Sequence, residues 1–220
     1  MTDYAAARLA MVDSQLRPNK VTDEAILEAF LSVPRERFVP PALRGAAYVD
    51  ADLPLGGGRY MMQPMVLARL LQLAEIGRDD AVLEIGCATG YGTAILARLA
   101  RSVVAIDSEV ELARQALARL RELAIDNATV VEAPLTAGFP SRAPYQVIVC
   151  QGAVARIPDA IAHQLSEGGR LVCVLQPGDG PGPGCAVVMT LVGGVLSHWP
   201  AFDAAVPLLP GFEAAPSFVF

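Results

Sequence analysis

The sequence predicts an α/β fold: a doubly wound, mostly parallel sheet with helices on both faces, an N-terminal helical extension and a β-rich C-terminal end. Three observations carry this expectation. From Asp80 onward, short apolar runs alternate with helical stretches, the pattern of a parallel sheet covered on both sides. The first run ends in "EIGCATGYG", a strand-to-helix turn containing Gly86 and Gly90. An acid, Asp107, closes the next run 21 residues after Gly86.

Taken in order, Tyr4 to Leu16 places Leu9, Val12 and Leu16 at helical spacing. Thr22 is placed to cap a second helix with Ile26, Leu27, Phe30 and Leu31 on its apolar face. "VPRERFVPP" ends that helix, and Pro64 suits the first turn of a third, running to about Ala74. "AVLEIGC", "SVVAID", "ATVVEA", "YQVIVCQ" and "RLVCVL" read as strands. Between them lie "YGTAILARLAR", "SEVELARQALARLREL" and "PDAIAHQL" as helices. The second of these opens with Ser108 and Glu111, a capping-box pair, and "SEGG" reads as a turn. "GDGPGPG" reads as a loop, and the chain from Cys185 as strands without helices. We expect a single domain over 1–220, with 1–75 as helical extension and glycine-rich loop and 80–220 as the α/β core.

Composition narrows the function. With 53% hydrophobic and 18% charged residues, most of the chain belongs in an ordered core. A net charge of −6 with scattered basic residues argues against nucleic acid or an anionic membrane as partner. Cys87, Cys150, Cys173 and Cys185 form no CxxC pair, and His163 and His198 are the only histidines, so no metal cage is expected. Cys150 reads as a packed strand-end residue and His163 as structural. Four reduced thiols, no signal peptide and no apolar run near the ~20 residues of a membrane span point to the cytoplasm.

The turn and the acid point to a nucleoside. An acid at that distance can accept hydrogen bonds from both ribose hydroxyls. The turn reads G-x-x-x-G rather than the dinucleotide G-x-G-x-x-G, and Glu84 precedes it. An acid there suits a cationic ligand such as the sulfonium and amino group of S-adenosylmethionine. The alternative is a tight turn followed by a helix-capping Asp.

"VLEIGCATGYG" resembles the first motif of class I S-adenosylmethionine-dependent methyltransferases with a Rossmann-like fold. More narrowly, "VPRERFVP", "AYVDADLPLGGG", the "QP" after that loop, "IPDAIAHQLSEGGRLV" and "VPLL" resemble the protein-L-isoaspartate O-methyltransferases, which repair isoaspartyl residues in damaged proteins. The resemblance spans about Gln15 to Leu209. It implies that Gly86, Cys87, Ala88 and Gly90 line the methionine end of S-adenosyl-L-methionine, where the charge argument also puts Glu84. It further implies that Asp107 binds the ribose, that the loop around Gln63 closes over the cofactor, and that the acceptor is a damaged-protein or peptide carboxylate.

Three stretches depart from the family pattern on the ligand side. "GGGRYMMQP" stands where the family commonly reads G-x-T-I-S-x-P, so Tyr60 replaces the threonine and Met62 the serine that meets the acceptor carboxylate. Ala133, Pro134 and Leu135 replace G-D-G, and Gln151 and Gly152 fall in a segment that tends to read V-T-A-A. Ala88 also stands where a second glycine is usual. With Met62 in place of serine no catalytic residue is assigned, and weak or absent isoaspartyl activity is expected. Met62→Ser should then raise the rate by up to about tenfold per 1.4 kcal/mol. Two alternatives stay open: another acceptor fitted to the methionine-rich loop, or a degenerate protein that binds cofactor without turnover. The sequence leaves the oligomeric state unknown.

Overall fold

The computed structural model describes residues 3–176 and 183–214. The N-terminal part holds α1 (Tyr4–Met11), α2 (Glu24–Ser32), a small antiparallel hairpin of β1 (Leu53–Gly56) and β2 (Arg59–Met61), and α3 (Pro64–Ala74). Then come β3 (Ala81–Ile85), α4 (Tyr91–Leu99), β4 (Ser102–Asp107), α5 (Val110–Glu122), β5 (Ala128–Glu132), β6 (Tyr145–Val154), α6 (Asp159–Ala162) and β7 (Leu165–Leu175). The antiparallel strands β8 (Gly184–Val192) and β9 (Val195–Ala204) follow. The seven-stranded sheet runs β5-β4-β3-β6-β7-β8-β9, parallel through β7.

Buried on both faces, the central strands are continuous apolar runs, with Glu84 the interruption in β3. Side chains alternate across the sheet, so two cores form. Val82, Val103 and Val147 pack with the helices α1 to α5. Leu83, Ile106 and Ile148 pack on the other face against Leu135, Ile161, Leu209 and Phe212, supplied by one-turn helices and the chain after β9. Leu27, Phe30 and Leu67 of the N-terminal helices share the first core with the sheet.

Several local readings change. Asp23, not Thr22, caps α2, accepting from the Ala25 and Ile26 amides. A single carboxylate oxygen, Oδ1, accepts from both orphan donors of the first turn. The Ser108–Glu111 capping box does not form. Instead α5 begins one residue later, Asp107 receives the Glu109 amide, and Glu111 turns to Arg114. The first helix continues beyond Met11 as a π turn, Val12–Leu16. The "PDAIAHQL" helix shrinks to α6, with His163 at its end, and "SEGG" lies inside β7 as a bulge opposite β6. "GDGPGPG" falls largely on 177–182, outside the described residues. The glycine-rich loop is a hairpin: Gly56, Gly57 and Gly58 all have positive φ at its turn, a conformation glycine adopts without a Cβ clash.

Candidate functional site

At the carboxyl ends of the parallel strands, where open α/β sheets hold their ligands, three groups converge on Asp107. This fully buried residue ends β4. Its Oδ2 accepts the Ala88 amide at 2.7 Å and its Oδ1 the Glu109 amide at 3.1 Å. The third group is Arg59, whose Nη2 stands 3.4 Å from Asp107 Oδ2 and donates to the Gly86 carbonyl at 2.7 Å. Alternation along β2 turns Arg59 and Met61 inward and Tyr60 outward, which is how a hairpin residue comes to be 2% exposed. A Cβ on Gly86 would lie 2.5 Å from Arg59 Nη2, so the absence of a side chain there leaves the space the guanidinium fills. Nε and Nη1 of Arg59 have no hydrogen-bond partner.

Glu84 lies behind this layer. It accepts from Thr93 Oγ1 at 2.5 Å and from Gln151 Nε2 at 2.8 Å. Burial pushes its carboxyl up to about 7, against the lowering effect of those two hydrogen bonds. Gln151 reaches it through a bulge: between Val149 and Ala153 of β6 the register against β7 shifts. Bulges re-aim side chains beside sites, and this one brings Gln151 to the cleft.

Two small adjoining clefts share Tyr60, Met62 and Gln151. The first adds Asp52, Arg59, Gly152 and the chain from Val206 to Leu209. The second adds Gly86, Cys87, Ala88 and Thr89. The base of the hairpin is held by Arg35, fully buried, which donates to the Ala47 and Met62 carbonyls and lies 4.7 Å over the Tyr91 ring.

Of the residues singled out from sequence, Met62, Gly86, Cys87, Ala88 and Asp107 are brought together. Glu84 is one step removed, linked through Gln151. Gly90 caps α4, where a Cβ would crowd Ala116 at 3.0 Å, so it serves helix packing. Gln63 is turned away: its side chain donates to the Ala205 carbonyl at 3.3 Å. Pro134 is exposed at the start of a short 3-10 turn. Burial pushes the thiols of Cys87 and Cys150 up, the latter to about 12, which leaves both protonated and unsuited to nucleophilic chemistry. No cluster of metal-ligating side chains exists among the described residues. Sequence reasoning missed Arg59, although a lone cation inside "GGGRYMM" was the available signal.

A family model described as protein-L-isoaspartate(D-aspartate) O-methyltransferase matches residues 7–181. The chain belongs to this family. A Koribacter versatilis protein-L-isoaspartate O-methyltransferase is 40% identical over 172 residues, 78% of each chain. One from Herpetosiphon aurantiacus is 41% identical over 75% of this chain and 74% of that one. Among solved structures, a protein-L-isoaspartate O-methyltransferase aligns with a TM-score of 0.82 at 25% identity, over 94% of this chain and 67% of that one. A putative Plasmodium falciparum member in complex with S-adenosyl-L-homocysteine shares the fold, with a TM-score of 0.76 at 14% identity over 94% and 98%. Within the isoaspartate methyltransferase family, then, the Met62 and Gln151 departures are local changes on a retained scaffold.

The residues present fit a nucleoside cofactor. Asp107 offers a carboxylate at the strand end, and Gly86, lacking a side chain, leaves a space beside it that the Arg59 guanidinium occupies. The intervening space is held by a side chain, not by backbone.

Proposed function

We propose that this protein is an S-adenosylmethionine-dependent O-methyltransferase that esterifies the isoaspartyl carboxylate of damaged proteins or peptides. The observation that carries the reading is Asp107, presented beside Gly86 and Ala88 at the end of β4 in a chain of this family. When bound, the cofactor supplies a methyl carbon activated by a sulfonium. The acceptor carboxylate is already ionised, so no residue has to remove a proton. What the chain contributes is orientation and exclusion of water.

In this reading Gly86, Cys87 and Ala88 line the methionine portion, Asp107 takes the ribose, and Glu84 orients Gln151 from behind. Gly90 positions the turn, and Gln63 fixes the hairpin base. Residues 1–75 and 80–220 act as one methyltransferase domain, supported by the core that Leu27, Phe30 and Leu67 share with the sheet. No described helix is long and apolar enough to cross a membrane. The four free thiols and the acidic balance support a cytoplasmic protein without a nucleic-acid partner.

A second reading has one observation in its favour. Met62, Val206 and Leu208 give the first cleft an apolar wall, which suits a different acceptor. Incubation with labelled cofactor and matched isoaspartyl and aspartyl peptides separates the two. Label on the isoaspartyl peptide alone supports repair, whereas cofactor binding without label on either peptide favours another acceptor.

A further inference from the structure

The first cleft contains two charged side chains, Asp52 and Arg59. Asp52 is engaged through Oδ1 by the Gln63 amide at 2.9 Å. Arg59 is the cation, and it is poorly satisfied for a buried guanidinium. Nη2 serves the Gly86 carbonyl and Asp107, while Nε and Nη1, which carry three of the five N–H donors, have no partner. Buried charges require partners, and the group that best matches several guanidinium donors is a carboxylate. The same guanidinium covers Gly86 and holds Asp107 Oδ2, the two features a nucleoside would need. At position 62, where a hydroxyl would meet the acceptor, a buried methionine offers no donor.

We propose that Arg59 makes the acceptor site conditional on the cofactor. Seated on Asp107, it closes the nucleoside position; displaced from Asp107 by the cofactor, its guanidinium receives the acceptor carboxylate in place of the missing hydroxyl. The inference rests on the methyltransferase reading above. The short reach required supports it, because Arg59 already borders both Gly86 and the cleft that Met62, Gln151 and Gly152 line. Binding thus becomes ordered, cofactor first. A latch closed in about nine molecules of ten weakens apparent cofactor affinity about tenfold.

Calorimetry with S-adenosylhomocysteine and an isoaspartyl hexapeptide tests this on the full chain. Arg59→Gln should bind S-adenosylhomocysteine about tenfold more tightly than wild type. The peptide should bind the wild-type complex with S-adenosylhomocysteine at least about tenfold more tightly than wild type alone, and Arg59→Gln should lose that enhancement. Arg59→Lys, which keeps the charge against Asp107, should retain weakened cofactor binding and provides the comparison if the glutamine variant fails to fold. Equal S-adenosylhomocysteine affinity in wild type and Arg59→Gln, or an enhancement that survives the substitution, overturns the inference while leaving the methyltransferase reading intact. A wild type that binds no S-adenosylhomocysteine overturns both. A wild type that binds it but no peptide overturns the acceptor half.

Discussion

The two walls of the site differ in what holds their polar groups. On the β3–β4 wall, every oxygen of Glu84 and Asp107 has a donor in place: Thr93, Gln151, two backbone amides and Arg59. On the hairpin wall, Met62 stands where a hydroxyl is expected and two guanidinium nitrogens of Arg59 have no partner. The carboxylate wall is complete without a ligand, whereas the hairpin wall is not. The difference teaches that the hairpin's unused donors lie on Arg59, three residues before Met62 on the same hairpin.

The largest effect should come from breaking the ion pair between the two walls. Asp107→Ala leaves Arg59 buried without a counter-charge, and about 3–5 kcal/mol of stability should be lost in urea denaturation. A loss below about 1 kcal/mol would show that Arg59 finds other partners easily, and the contrast between the walls would fail.

Next is Glu84. Its folded carboxyl titrates near 7, above the ordinary 4.5, so between those values the native state holds a proton that the unfolded chain has released. Stability from this group is therefore present below about pH 4.5 and lost as pH rises toward 7, by up to about 3 kcal/mol. Glu84→Gln should remove that component, measured as the difference between wild-type and variant unfolding free energies from pH 4.5 to 8. Parallel curves for the two proteins would mean that Glu84 is ionised throughout.

A smaller effect is expected at position 62. Met62→Ser trades a buried apolar side chain for a cavity and should cost about 2 kcal/mol in stability. Because Arg59 carries unpartnered donors in the same cleft, the isoaspartyl methylation rate should change by less than about threefold. A tenfold rise would return the catalytic role to position 62. The smallest effect concerns Ala88, which adopts φ 47, a conformation that favours glycine. Ala88→Gly should raise stability by about 0.5–1 kcal/mol, since the left-handed conformation disfavours a Cβ. A lower melting temperature would indicate that the Ala88 methyl packs usefully against its neighbours.

The parallel sheet was legible because its signals are local: apolar runs at strand length, helices of regular period between them, and an acid at a fixed distance from the glycines. Asp107 and Gly86 were singled out by that spacing, and Ala88 by the family resemblance. The capping of α2 and α5 was misread because adjacent Ser, Thr, Asp and Glu compete for the same orphan amides, and geometry decides among them. Gln151 was noticed as a departure, but its bond to Glu84 depends on a bulge that no periodicity announces. Arg59 was missed because a pairing between β2 and the end of β4 bridges 48 positions of chain, and nothing local marks it.

The measurement that bears most directly on the account is methyl transfer itself, read as radiolabel moved from S-adenosylmethionine to an isoaspartyl peptide, with the aspartyl isomer as control. The account predicts a base-labile methyl ester on the isoaspartyl peptide, none on its isomer, and loss of the signal in Asp107→Ala. Contradiction would take the form of a wild-type protein that binds S-adenosylhomocysteine yet leaves both peptides unlabelled.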